Sequence, residues 1–354
     1  MRKSFTELTT MRVGGDAAEY VVADTTDELV ATVGEADAAG MPILVIGEGS
    51  NLVVGDQGFD GLVVHVKNAG VSVDGERLHV DAGAVWDPIV ELALNEGLGG
   101  LEPLSGVPGS TGATPIQNVG AYGALVSSFL THVTVYDRRS RLVRDIAVDD
   151  CGFGSHRKSI FKGADHYVIL TVHFRLQRTR LSQPLTYAGL AERMDLNLGD
   201  IAPTQELRAA VLEMRRERGM LLDPNDNDTW SVGSFFINPV LTTVPAQARN
   251  CPTYPDVAGT KLPAAWLIHR AGFAPGYGAE WGRGQVRLSS KHALAVTNRG
   301  TATTGEVMAF AAHIRDGVER VFGIRLGPEC DLVNCSFDDP APSWQSEALP
   351  AATD

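Results

Sequence analysis

Gly106-Val107-Pro108-Gly109-Ser110-Thr111-Gly112-Ala113-Thr114-Pro115-Ile116-Gln117-Asn118-Val119-Gly120-Ala121-Tyr122-Gly123 holds five glycines and no charged residue. Glycine lets backbone amides approach a ligand in conformations that other residues resist. Clustered N–H donors form anion-binding concavities, and a diphosphate is a common occupant. The hydroxyls of Ser110, Thr111 and Thr114 and the amides of Gln117 and Asn118 add hydrogen bonding without charge. The stretch reads as a cradle for a large phosphate-bearing cofactor, with a plain surface loop as the bland alternative.

A second Gly-rich turn lies upstream. Residues 25–40 read as a helix, with Thr25 and Glu28 as a capping box, Leu29, Val30 and Val33 on one face, and Gly40 as the stop. The apolar run 43–46 reads as a strand leading into Gly47-Glu48-Gly49-Ser50-Asn51, and 52–54 and 62–66 read as further strands. This βαβ-like opening lacks the Rossmann fingerprint, because Leu52 stands where a third glycine belongs. No Gly-Lys-Ser/Thr follows, so it is not a Walker loop either. Short β-rich runs follow at 78–80, 133–136, 142–146 and 168–174, interrupted by a helix near 88–95. Residues 203–219 read as a helix with Leu207, Ala210, Val211 and Met214 on one face. The Asp-Pro-Asn-Asp-Asn-Asp stretch at 223–228 marks a domain boundary. In 303–323, Thr303 and Glu306 cap a helix whose expected buried stripe is Val307, Phe310, Ile314, Val318 and Val321. The Pro-, Ala- and acid-rich tail 338–354 reads as disordered.

A chain of 354 residues exceeds one comfortable core, so two or three domains are expected. The formal net charge of −13 opposes non-specific binding to nucleic acid or anionic membranes. An anionic substrate therefore needs locally placed cations, for which Arg157/Lys158, the 215–218 run, Lys261 and Arg270 are available, although most such charges are merely solvated. Residues 1–10 hold no signal-peptide core and no later run is long enough to span a bilayer, so a cytoplasmic protein is expected. Cys151, Cys251, Cys330 and Cys335 are too scattered for a disulfide framework or a zinc pattern, and buried thiols are expected. No histidine pair has helical metal-ligand spacing, so no metal is expected.

Three further spots carry chemistry. In Trp230-Ser231-Val232-Gly233-Ser234-Phe235-Phe236-Ile237-Asn238-Pro239, a hydroxyl between glycine and two phenylalanines could donate a proton in a water-poor pocket. Composition alone favours the plainer reading, a satisfied serine at a strand end. No Gly-x-Ser-x-Gly elbow surrounds Ser234, which argues against an acyl-enzyme. The Ser155-His156-Arg157-Lys158 patch between aromatics suits a carboxylate or phosphate, or is a solvated turn. Glu329 in Gly327-Pro328-Glu329-Cys330 is a catalytic carboxylate or a surface acid.

Together these motifs resemble the UDP-N-acetylenolpyruvoylglucosamine reductase family, from Thr9-Thr10-Met11-Arg12-Val13-Gly14-Gly15 to about Asn334. Leu185-Thr186-Tyr187 is similar to the tyrosine loop of the subgroup that closes such a loop over substrate. The resemblance implies an α+β fold of the vanillyl-alcohol-oxidase FAD-binding type plus an α+β substrate-binding domain. It places lobe 1 at 1–70 with 325–337, lobe 2 at 71–222 and the substrate domain at 223–324. It implies non-covalent FAD, reduced by NADPH and reoxidised by UDP-N-acetylglucosamine enolpyruvate to give UDP-N-acetylmuramate for peptidoglycan.

FAD contacts would come from Gly47, Glu48, Gly49, Ser50 and Asn51, and from Gly109, Ser110, Gly112, Ala113, Gln117, Asn118, Gly120, Ala121 and Tyr122. Ser234 would donate the proton. Arg157 would stabilise the enolate-like charge, assisted by Glu329. Tyr187, Arg218, Asn238, Tyr254 and Lys261 would touch substrate. A monomer acting on a small molecule is implied, with neither nucleic acid nor membrane as partner. Two departures bear on local geometry: His156 stands where relatives usually carry Tyr, with one apparent extra residue, and Gly327 stands where many carry an acid. The competing readings are a flavin-dependent oxidase or dehydrogenase of a hydroxy acid or alcohol on the same fold, and a non-catalytic nucleotide-binding sensor.

Overall fold

The computed structural model describes residues 2–154 and 159–339. The chain forms two compact units. The first is built from Glu19–Glu48 and Gly61–Leu221, the second from Arg2–Ala18, Gly49–Asp60 and residues from Leu222 onward. The chain thus passes between units inside the 47–51 turn and again beside the Asp-Pro-Asn-Asp-Asn-Asp stretch. No helix among the described residues is long and apolar enough to cross a membrane.

In the first unit, helix Thr26–Ala38 starts where its sequence signals place it. The Thr25 hydroxyl accepts from Glu28 N, the Glu28 carboxylate accepts from Thr25 N, and Leu29, Val33 and Ala36 are buried. It leads into strand Ile43–Ile46, which pairs in parallel with Phe59–Val66 (Ile43 opposite Leu62). A five-stranded antiparallel sheet follows, in the order Leu142–Ala147, Leu130–Asp137, Tyr167–Arg175, Arg77–Asp81, Val71–Asp74. Alternation gives this sheet two different faces. Leu78, Val80, Val133, Val135, Val172 and Phe174 are buried in one core with Trp86 and Val90 of helix Trp86–Asn95. His79, His173 and His132 are opposed in register on three neighbouring strands and are only half-buried. Burial, with His132 and His79 alongside, pushes His173 down to about 4.

Helix Thr204–Glu217 buries Leu207, Val211 and Met214. Arg208 reaches from it to the Asp87 carboxylate (2.7 and 2.9 Å), which also accepts from the Gly106 amide. Arg215 is not a solvated charge: its Nε donates to Gly106 O at 3.0 Å and its Nη2 to Met220 O at 2.8 Å. Burial lowers its affinity for a proton.

In the second unit, strand Leu52–Val54 pairs in parallel with Asp331–Val333. Helix Thr304–Phe322 carries the expected capping box of Thr303 and Glu306, and the Asp56 carboxylate accepts from the amides of Thr304 (2.7 Å) and Gly305 (2.8 Å). A carboxylate at this end complements the helix dipole. Val307, Phe310, Ile314 and Val318 are buried, but Val321 is 43% exposed. In the last turn Phe322 takes the inward position and packs on Trp266 (ring centroids 5.7 Å). All four cysteines are described and none is in a disulfide. Cys151, Cys251 and Cys330 are buried, whereas Cys335 is only partly covered.

Candidate functional site

The two Gly-rich stretches meet in the first unit. A Cβ built on Gly47 would lie 2.2 Å from Ser110 Oγ, so no side chain fits between that turn and the 106–123 loop. Gly106 (φ +68°) and Gly109 (φ +123°) adopt backbone angles that side chains resist. A Cβ on Gly112 would lie 2.6 Å from Ala82 Cβ, which seats the loop on the preceding strand end. Thr111 N and Oγ1 both donate to Ala84 O, Thr114 Oγ1 donates to Thr111 O, and Asn118 Oδ1 accepts from Ser127 N. These groups shape the loop. Gln117 Oε1 accepts from Lys162 Nζ at 2.7 Å, Glu48 pairs with Lys67, and Ala113 opens the short helix Ala113–Ile116. Gly120 and Ala121 form a two-residue strand against Ala124–Leu125.

Tyr122, predicted on the cofactor side, and Tyr187 and Arg218, predicted on the substrate side, converge in the same unit. The two rings stand edge to face at 5.5 Å, and Arg218 Nη1 donates to Tyr187 Oη at 3.5 Å. Burial raises the Tyr122 phenol. Burial opposes the charge on Arg218, but the hydrogen bond to Tyr187 and the neighbouring Tyr122 and Glu217 leave its affinity for the proton raised. Tyr122 also borders a cleft of about 370 Å³ with Phe129, Arg175, Gln183 and Thr186.

In the second unit, Ser234 and Glu329 lie on segments that run side by side. Glu329 N donates to Phe235 O (2.8 Å), Ile237 N donates to Gly327 O (3.0 Å), and Phe236 bridges Pro328. Gly233 (φ +75°) makes the bend, Phe235 and Phe236 are buried, and Ser234 and Glu329 are half-buried. Asn51 joins this crossing: its Nδ2 donates to Glu329 O (3.5 Å) and its O accepts from Asp331 N (2.9 Å). Gly49 (φ +59°) is pressed against Leu8 O, 2.1 Å from where its Cβ would stand, and Ser50 follows it.

Tyr254 and Lys261 are cross-strand partners, and Lys261 is paired with Asp256 at 3.1 Å. Asn238 is close in chain to that sheet, but its Oδ1 is committed to Ala264 N (2.8 Å) at the start of helix Ala264–Arg270. Arg157, with Ser155, His156 and Lys158, lies outside the described residues, as does the tail from 340.

Sequence reasoning missed one constellation. His132, Asp145 and His173 each present a ligand atom, all within 4.8 Å of one another. The search for helical metal spacing could not find it, because the spacing is cross-strand. The available signal was a histidine in the 78–80 and 168–174 runs and another, His132, immediately before the 133–136 run.

The α+β first unit, with its paired Gly-rich loops, and the second unit define a FAD-binding-domain protein that carries a distinct C-terminal domain. The FAD binding domain family matches residues 17–145, and the UDP-N-acetylenolpyruvoylglucosamine reductase C-terminal domain family matches residues 223–333. A UDP-N-acetylenolpyruvoylglucosamine reductase of Thermobifida fusca is 48% identical over 94% of this chain and 97% of that protein. One of Mycobacterium marinum is 47% identical over 93% and 94%. A crystal structure of UDP-N-acetylenolpyruvylglucosamine reductase from Thermus caldophilus has the same fold, with a TM-score of 0.66, 23% identity and coverage of 94% of this chain and 98% of that one. The chain belongs to the UDP-N-acetylenolpyruvoylglucosamine reductase family.

Proposed function

We propose that this chain reduces the enolpyruvyl ether of UDP-N-acetylglucosamine to UDP-N-acetylmuramate, with NADPH as the electron source. The observation that carries this reading is the crossing of Ser234-Phe235 with Pro328-Glu329, which sets a hydroxyl and a carboxylate on adjacent backbone. FAD suits the first unit because two Gly-rich stretches pack there, with Ser110 Oγ 2.2 Å from where a Gly47 Cβ would stand, and glycine-rich turns bring backbone amides close to a bound diphosphate. Gly47, Glu48, Gly109, Ser110, Gly112, Ala113, Gln117, Asn118, Gly120, Ala121 and Tyr122 would hold it, and Gly49, Ser50 and Asn51, which continue the Gly47-Glu48 turn in sequence, are assigned to it as well. When bound, FAD supplies a two-electron carrier that accepts hydride from NADPH and returns it to the enolpyruvyl carbon–carbon double bond.

The chain's own residues have the remaining work. Reduction of the double bond needs one proton as well as one hydride, and Ser234 Oγ–H is assigned to deliver it to carbon. Its half-buried place beside Phe235 and Phe236 limits water as a competing donor. Glu329 and Arg157 are assigned to the charge that builds on the adjacent carbon and its carboxylate. Tyr187 and Arg218 are assigned to the nucleotide part of the substrate, and Asn238, Tyr254 and Lys261 to further substrate contacts. Residues 1–70 with 325–337, and 71–222, are proposed as the two FAD lobes, with 223–324 as the substrate domain. We place the enzyme in the cytoplasm as a monomer, supplying peptidoglycan precursor and through it cell shape and division.

The test is anaerobic. NADPH should bleach the flavin, and UDP-N-acetylglucosamine enolpyruvate should restore its colour with formation of the lactyl ether. A reduced flavin that this substrate leaves bleached, but oxygen reoxidises, would overturn the reading in favour of an oxidase.

A further inference from the structure

The five-stranded sheet carries a row of imidazoles outside the machinery described above. His79, His173 and His132 are directly opposed on adjacent strands, with Asp145 on the next strand opposite Thr134. The His132 and His173 rings are stacked, with centroids 3.9 Å apart and planes at 11°. His132 Nε2 lies 4.0 Å from Asp145 Oδ2. Thr134 Oγ1 lies 2.9 Å from His173 Nε2 and donates to Asp145 Oδ1 at 2.6 Å. His173 Nδ1 faces His79 Nδ1 in a hydrogen bond.

We propose that His132, His173 and Asp145 form a binding site for one divalent transition-metal ion of the Zn²⁺ class, with His79 orienting His173. Two imidazoles and a carboxylate are borderline-to-hard donors that suit Zn²⁺, Co²⁺ or Ni²⁺, whereas Mg²⁺ and Ca²⁺ demand oxygen ligands. A tetrahedral ion with bonds of about 2.0–2.1 Å sets its ligand atoms roughly 3.3 Å apart. To close the present limit of 4.8 Å to that distance, the exposed Asp145 must swing in and the His132 ring must turn out of its stack on His173, because parallel rings cannot both aim a nitrogen lone pair at one ion. The sheet supplies rigidity, since directly opposed residues have Cβ atoms about 4.5–5.5 Å apart.

The hydrogen-bond chain fits the second requirement of a metal site, a partner for the non-ligating ring nitrogen. Because Thr134 donates to Asp145, His173 Nε2 carries its proton toward Thr134 and its Nδ1 accepts from His79. Binding at Nε2 displaces the Thr134 hydroxyl and reverses the relay: the His173 proton moves to Nδ1, which donates to His79 Nδ1, while His79 shifts its own proton from Nδ1 to Nε2. Three protein ligands leave a fourth position for water or a small anion.

The test uses the full-length, FAD-loaded chain without an affinity tag, titrated with Zn²⁺ by calorimetry and with Co²⁺ by ligand-field absorption. One equivalent should bind, unaffected by excess Mg²⁺, and give the intense spectrum of a four-coordinate site. Asp145→Asn, an exposed change that leaves the core alone, should weaken binding at least about tenfold. His79→Phe should weaken it about 10- to 100-fold. The pair His132→Gln with His173→Gln should abolish it, while melting in chelator stays at the wild-type temperature. Absence of binding to the wild-type chain overturns the proposal. So does unchanged Zn²⁺ affinity in both Asp145→Asn and the double variant, which would put the ion on the cysteines or elsewhere.

Discussion

The loop contact of the first unit and the backbone crossing of the second are built in opposite ways. Around Gly47 and Ser110, side chains are absent or brace the backbone: Thr111 donates to Ala84 O, Thr114 to Thr111 O, and Asn118 Oδ1 accepts from Ser127 N. What such a region can offer a ligand is backbone amide and shape. At the crossing of 233–237 with 327–329, backbone groups hold one another, and the half-buried Ser234 and Glu329, the proposed proton-transfer pair, lie on the two crossing segments. A diphosphate cradle profits from many weak, fixed dipoles. Proton transfer needs one group at one place. The difference separates a region whose substitutions should cost affinity from one whose substitutions should cost rate.

The sharpest way to break that division is Ser234→Ala. Loss of a positioned general acid costs about 10²- to 10⁴-fold. That loss should appear only in reoxidation by the enolpyruvyl substrate, with reduction by NADPH nearly intact in stopped-flow traces. Equal losses in both half-reactions would remove the proton-donor role. The complementary change is Gly47→Ala. The added Cβ meets Ser110 Oγ at 2.2 Å, and overpacking of this kind costs about 1–3 kcal/mol, or about 5- to 150-fold in the FAD dissociation constant. Adding Ser110→Gly should recover most of it. Wild-type FAD retention by the single variant would show that this contact does not shape the cradle.

The same contrast explains what the sequence makes legible. Helix starts at Thr25/Glu28 and Thr303/Glu306 are written within four residues, because a capping box is local. The strand Asp16–Ala23 escapes, because its first four residues, Asp16-Ala17-Ala18-Glu19, are poor strand formers and its β-branched residues, Val21 and Val22, come only near its end. Glycine richness marks the loop, but composition does not say which hydroxyls the loop consumes. Ser234 and Glu329 each look ordinary in isolation, and 95 residues separate them. Their adjacency depends on the Phe236–Pro328 bridge, a long-range pairing visible only in the fold. The histidine row is hidden for the same reason, since register between strands is set by the whole sheet.

A smaller effect tests whether the first unit's loop is held from outside. Burial alone would raise the Asp87 carboxyl, but the hydrogen bonds from Arg208 and the Gly106 amide outweigh it and hold the group below its usual value. A depressed carboxylate contributes its full stability above the unfolded value near 4 and loses it as pH falls through the lowered one. The melting temperature should therefore drop on acidification below about pH 4. Asp87→Asn should cost about 2 kcal/mol at neutral pH and flatten part of that acid slope. An unchanged slope would mean that other carboxylates govern it.

The smallest effect separates scaffold from substrate contact in the second unit. Asn238 Oδ1 accepts from Ala264 N at a helix start, so Asn238→Ala should cost about 1 kcal/mol of stability, as loss of a side-chain acceptor at a helix N-terminus does. Asn238→Asp keeps an oxygen for that amide and should restore the melting temperature. It removes the Nδ2 donor, however, and places a negative charge where an anionic nucleotide sugar is proposed to bind. A raised KM in the Asp variant, with stability intact, would assign Nδ2 to substrate. An unchanged KM would leave Asn238 as scaffold alone and move its share of substrate recognition to Tyr254 and Lys261.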